Sequence, residues 1–84
     1  MSKKKIELDA STDLEKVLLQ IKSIYSENKI NDVDGVRIDF DREWVHLRKS
    51  NTEPIIRIYS ESTTPSGADA LAERMIAAVR KMIS

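Results

Sequence analysis

The chain has no cysteine. That excludes a disulfide framework, a thiolate metal site and a cysteine nucleophile, and it favours a reducing, cytoplasmic setting. It has one histidine, His46, with no second histidine or cysteine nearby to make it a metal ligand or catalytic group. An excess of either charge is also missing. The 14 Lys plus Arg residues are matched by 14 Asp plus Glu, so no global field draws the protein to nucleic acid or an anionic membrane. Any anion site must be local. Aromatics make up 5% of residues, and no central strand carries the aromatic run of an RNA-binding sheet. Apolar runs extend over only a few residues, and Met1-Ser2-Lys3-Lys4-Lys5 leads into Ile6-Glu7-Leu8 rather than an apolar signal core. No export or membrane-spanning segment is expected. The Lys3 to Lys5 run reads as a solvated terminus.

What is present describes a small folded domain. With 84 residues, 40% hydrophobic and 33% charged, the chain suits one domain, 1–84, with a thin core: about 60–65% of the unfolded surface can be buried at this size. Lys4 to Leu8 alternates as a short strand, with Ile6 and Leu8 on one side. Thr12-Asp13-Leu14-Glu15 has the form of a capping box, with Thr12 as N-cap. Leu14, Val17, Leu18, Ile21, Ile24 and Tyr25 then recur at helical spacing, predicting an amphipathic helix to near Asn28.

Ile30 and Val33 mark an edge strand, and Asp34-Gly35 signals a tight hairpin turn. Val36, Ile38 and Phe40 alternate with Arg37 and Asp39 as a half-buried strand. After Asp41-Arg42-Glu43, a strand from Trp44 to Arg48 places Arg48 on the face of Trp44 and His46, away from Val45 and Leu47. Ile55 to Ser60 forms another strand, with Ile56 and Ile58 on one side and Ile55, Arg57 and Tyr59 on the other. Thr64 as cap and Pro65 at the first helical position start a second helix, whose apolar stripe runs from Ala68 to Ile83. The order β-α-β-β-β-β-α, with short turns between strands and one-sided helices, predicts an α+β two-layer sandwich. Both helices should cover one face of an antiparallel sheet. The other face, with Trp44, His46 and Tyr59, offers a surface for a protein partner.

Between the last two strands lies Arg48-Lys49-Ser50-Asn51-Thr52-Glu53-Pro54. A guanidinium fork, two hydroxyls and a carboxamide in one short loop are the donors that hold an oxyanion. Ser, Asn and Thr after a strand are also ordinary turn formers, so turn chemistry alone leaves a plain solvated loop open. With Asp34-Gly35-Val36-Arg37-Ile38 and Trp44-Val45 before it and Ile55-Ile56-Arg57-Ile58-Tyr59 after it, the loop resembles that of the C-terminal domain of the α-D-phosphohexomutases, the phosphoglucomutase and phosphomannomutase family. The likeness runs from the first strand to the last helix.

The resemblance implies a TATA-binding-protein-like fold and the fourth domain of a four-domain enzyme that interconverts hexose 1- and 6-phosphates of glucose or mannose. Phosphoglucosamine mutase is the alternative sugar specificity, and a stand-alone interaction module is the alternative class. By the same likeness, Arg48, Ser50, Asn51 and Thr52 bind the substrate phosphate. Arg57 matches an arginine that part of the family uses for that phosphate, while other members carry it two residues later, where this chain has Tyr59. Lys49 stands where proline is common. The catalytic phosphoserine and the Mg²⁺ of the family are expected in other domains. Asp39-Phe40-Asp41-Arg42 resembles the metal loop but carries only two carboxylates. These 84 residues are thus expected to bind without catalysing, with a phosphosugar and the remaining domains as partners and neither nucleic acid nor membrane.

Overall fold

The computed structural model describes residues 1–31, 35–50 and 53–83. Alternation and helical spacing produce β1 (Ser2–Glu7), α1 (Leu14–Ile24), β2 (Lys29–Asn31), β3 (Val36–Asp39), β4 (Trp44–Lys49), β5 (Ile55–Glu61) and α2 (Pro65–Ile83). The strands form one antiparallel sheet in the order β1-β5-β4-β3-β2. The α+β two-layer expectation holds. β2, β3, β4 and β5 follow one another as neighbours, and β1 adds to the free side of β5.

Both helices cover the same sheet face. Ile6, Ile38, Val45, Leu47, Ile56 and Ile58 from the strands pack with Val17, Leu18 and Ile21 of α1 and with Leu71, Ala72, Met75 and Val79 of α2. Full burial of each large apolar side chain stabilises the fold by about 1.5–3 kcal/mol before the entropy of ordering is set against it. Small residues bring α2 close to the sheet: Ala68 and Ala72 are buried, and the buried Ser60 Oγ donates to the Ala68 carbonyl at 2.7 Å. Thr64 caps α2 as expected, its Oγ1 accepting from the Gly67 N–H at 3.0 Å. Among the described residues, no helix is long and apolar enough to cross a membrane.

The termini of the first elements differ from the sequence reading. Lys3 and Lys5 are exposed to solvent, but Lys3 to Lys5 are not a free terminus. They lie inside β1, which starts at Ser2 and pairs with β5 from Ser2 opposite Ser60 to Glu7 opposite Ile55. A lysine run hides where a strand begins because its inward member need not be apolar. Lys4, on the inward parity with Ser2 and Ile6, passes the helix layer and meets Glu73 at 3.5 Å.

The N-cap of α1 is Asp13, not Thr12, and its side chain accepts from the Lys16 N–H at 3.3 Å. Asp9 explains the shift, because its carbonyl accepts from the Thr12 N–H at 2.9 Å and its carboxylate from the Ser11 N–H. Those bonds hold Thr12 in a turn before the helix. Glu15 therefore does not reach back to Thr12; it pairs with Lys49. The helix stops at Ile24, with Tyr25 as C-cap, and Ile24 is exposed rather than part of the buried stripe. Tyr25 instead packs edge-on against Phe40, with ring centroids 5.8 Å apart. Ile55 lies on the outward parity yet is buried. Val33 and Asp34, assigned to the edge strand and its turn, lie outside the described residues.

Candidate functional site

Strand register brings the two candidate arginines together. Arg48 and Arg57 are direct cross-strand partners in the β4–β5 pair, both on the face away from the helices and both exposed. Two like charges directly opposite each other in a sheet destabilise it. Their juxtaposition places two guanidinium groups at one point of the open face, at the foot of the loop.

The loop that follows Arg48 is anchored from three directions. Its base is closed by the Ser50 N–H donating to the Ile55 carbonyl at 2.9 Å, and by the Ile55 N–H donating to the Glu53 carbonyl at 2.8 Å. From β1, the Leu8 N–H donates to the Pro54 carbonyl at 2.7 Å. From α1, Glu15 pairs with Lys49, whose inward parity with Val45 and Leu47 points it to the helix layer. The residue found in place of a common proline thus ties the loop to α1. The Ser50 N–H is thus committed to closing the loop. Asn51 and Thr52, the other candidate phosphate-binding residues, lie outside the described residues.

Gly35 supports Arg48 from the side of β3. Its φ is +75°, a conformation that costs glycine little and other residues much. A Cβ there would stand 2.3 Å from the Leu47 carbonyl oxygen and 3.2 Å from Arg48 Cγ. Glycine is required by the close approach of the two strands, and that approach sets where the Arg48 side chain leaves the sheet.

Neighbouring groups on the open face engage one another. The Arg37 guanidinium lies 4.5 Å from the Trp44 ring centroid and 3.2 Å from Asp39. Trp44 is accordingly stacked by a cation, and Asp39 is engaged. His46 sits between Arg37 and Tyr59 in the register. Among the described residues no group of three His, Cys, Asp or Glu side chains could hold a metal ion.

β1 supplies what the sequence reading missed. Lys5 is opposite Arg57, and Lys3 is opposite Tyr59. The outward row Lys5, Arg57, Arg48 spans three strands. The only sequence signal was the period-two placement of Ser2, Lys4 and Ile6, which three consecutive lysines obscure.

The phosphoglucomutase/phosphomannomutase C-terminal domain family matches residues 2–78. The chain belongs to this family. It is 34% identical over 70 residues, 83% of its length, to a probable phosphoglucosamine mutase of Pyrococcus furiosus. A probable phosphoglucosamine mutase of Methanococcoides burtonii is 51% identical over 43 residues, half of this chain. A phosphoglucomutase/phosphomannomutase of Thermococcus kodakarensis is 52% identical over 40 residues, 48% of this chain. The chain spans only 15%, 10% and 9% of those three proteins, respectively. What it shares with them is a domain.

Proposed function

We propose that this domain binds the substrate phosphate of a phosphohexomutase, holding the phosphate that is not reacting while the other end of the sugar exchanges its phosphoryl group. The observation that carries the reading is the Arg48–Arg57 cross-strand pair at the base of the Arg48 to Pro54 loop. Arg48 and Arg57 supply charged forks, Ser50 and Thr52 hydroxyls, and Asn51 its amide or backbone N–H. A hold on phosphate alone orients the sugar without reading it, so binding energy from a remote group serves the reacting centre. The same hold accepts either end of a hexose phosphate. The nucleophile and Mg²⁺ belong, in this reading, to other domains, and the 84 residues by themselves are inactive. A sugar phosphate ligand and the lack of cysteine both suit a cytoplasmic protein.

The sugar in this reading is glucose or mannose. Phosphoglucosamine is the second reading, favoured by the names of the relatives from Pyrococcus furiosus and Methanococcoides burtonii. Activity of the whole enzyme on glucose, mannose and glucosamine phosphates separates the two. For the site itself, Arg48→Ala in the whole enzyme should cost about 1.5–3 kcal/mol of substrate binding, the range of a charge-assisted hydrogen bond. Unchanged substrate affinity in that variant would remove Arg48 from the site.

A further inference from the structure

We propose that Lys3, Lys5, Arg57 and Tyr59 form a second anion subsite on the open sheet face, which takes a phosphate monoester dianion beside the loop. The β1–β5 register sets Lys5 opposite Arg57 and Lys3 opposite Tyr59. Lys3, Lys5 and Arg57 are exposed. A groove of about 280 Å³ lies over this corner, lined by Lys3, Lys4, Lys5, Arg57 and Tyr59. Lys3, Lys5 and Arg57 bring three cations to its lining and Tyr59 a phenol, while the Lys4 ammonium meets Glu73 on the helix side.

The opposing charge is weak. Glu7 approaches Lys5 at 3.6 Å, but its side chain is 73% exposed, so the pair is screened and easily exchanged for a better anion. Glu61, two residues beyond Tyr59 on the same strand, is occupied by the amino terminus at 3.6 Å, and Glu73 meets Lys4 on the helix side. Lys5 beside Arg57 repeats the like-charge opposition of Arg57 and Arg48, and a dianion is the simplest group that relieves it.

Size narrows the ligand. The groove lies near the lower bound of about 300 Å³ for small-molecule pockets, room for a phosphoryl group on a small organic body. Tyr59 offers an apolar ring for that body and a hydroxyl that can donate to phosphate. The subsite is distinct from the loop, since it uses neither Ser50 nor the residues after it, but Arg57 borders both.

The test is an NMR titration of the ¹⁵N-labelled chain with inorganic phosphate and, separately, glucose 1-phosphate, against sodium chloride at matched ionic strength. Saturable shifts at the Lys3, Lys5 and Tyr59 amides and at Arg57 Nε are expected with both phosphates and not with chloride. The double variant K3Q/K5Q should weaken that binding about tenfold or more, the loss of at least one charge-assisted bond, while shifts at Arg48 and Ser50 remain. K5Q alone, which removes one charge from an exposed strand position, should weaken it in the same direction. Equal midpoints for the two ligands identify a site for the phosphoryl group alone; a lower midpoint for glucose 1-phosphate identifies a sugar phosphate site. Shifts in β1 that follow ionic strength only, or that survive K3Q/K5Q unchanged, overturn the proposal. Loss of the loop response with the groove response retained would instead count against the function proposed for Arg48 and leave this subsite standing.

Discussion

Arg48 and Arg57 face each other across the β4–β5 ladder, an arrangement that weakens the sheet and concentrates positive charge at the foot of the loop. Stability and binding should therefore respond to Arg57 in opposite directions. Arg57→Thr removes the repulsion and places a β-branched residue in a strand, so it should stabilise the chain by about 0.2–1 kcal/mol. The gain should shrink as salt rises, because screening already reduces the repulsion it relieves. Urea unfolding at low and high salt measures both. In the whole enzyme the same variant should weaken substrate binding, and a variant that neither stabilises nor weakens would show that the two charges do not interact.

The Gly35 prediction concerns how Arg48 is aimed. Gly35→Ala meets a positive φ and a carbonyl oxygen 2.3 Å from its Cβ, so β3 and β4 must separate locally. A cost on the order of 1–3 kcal/mol is expected from the backbone conformation alone. Thermal unfolding reports the loss. Displacement of the Arg48 Nε resonance, with α2 amides unmoved, would show that the strain is delivered to the candidate site.

Most of the fold was legible because its core is made by regular patterns: Val36 and Ile38, Val45 and Leu47, and Ile56 and Ile58 alternate, and all are buried. The parity of Arg48 and Arg57 was legible for the same reason. Their direct opposition was not, because register depends on how the loop between them closes, through Ser50 and Ile55. The first strand was legible from Lys4 onward, but its start at Ser2 was not, because Lys4 takes an inward position and satisfies its charge on α2. The Lys49 to Glu15 pair, joining residues 34 positions apart, has no local signature at all. Asn51 and Thr52 were assigned from the motif and lie outside the described residues.

The placement of the α1 cap gives a paired prediction. Asp13→Ala should destabilise the chain by about 0.5–2 kcal/mol, the usual loss of an N-cap side chain. Thr12→Ala should change stability by less than about 0.5 kcal/mol, as for a surface substitution away from a cap. Denaturant midpoints of the two variants decide between Asp13 and the capping box read from the sequence. The reverse order of effects would restore Thr12 as the cap.

Asp9 supplies the pH dependence. Its carboxylate accepts from the Ser11 N–H and from the Ser11 hydroxyl, both at 3.1 Å, and these bonds, the backbone one foremost, hold its pKa below that of an ordinary aspartate. A depressed folded-state pKa means that the unfolded chain binds the proton more readily. The associated stability is present above the unfolded-state pKa and disappears as pH falls through the lower folded-state value. Carboxyl ¹³C shifts of Asp9 should titrate lower than those of an unstructured aspartate. Ser11→Ala removes the hydroxyl donor but keeps the N–H, so it should raise the Asp9 pKa only part of the way. Ser11→Pro removes both donors and should bring it to the ordinary value. If the two variants shift it equally, the backbone bond contributes nothing and the turn before α1 is held by the hydroxyl alone.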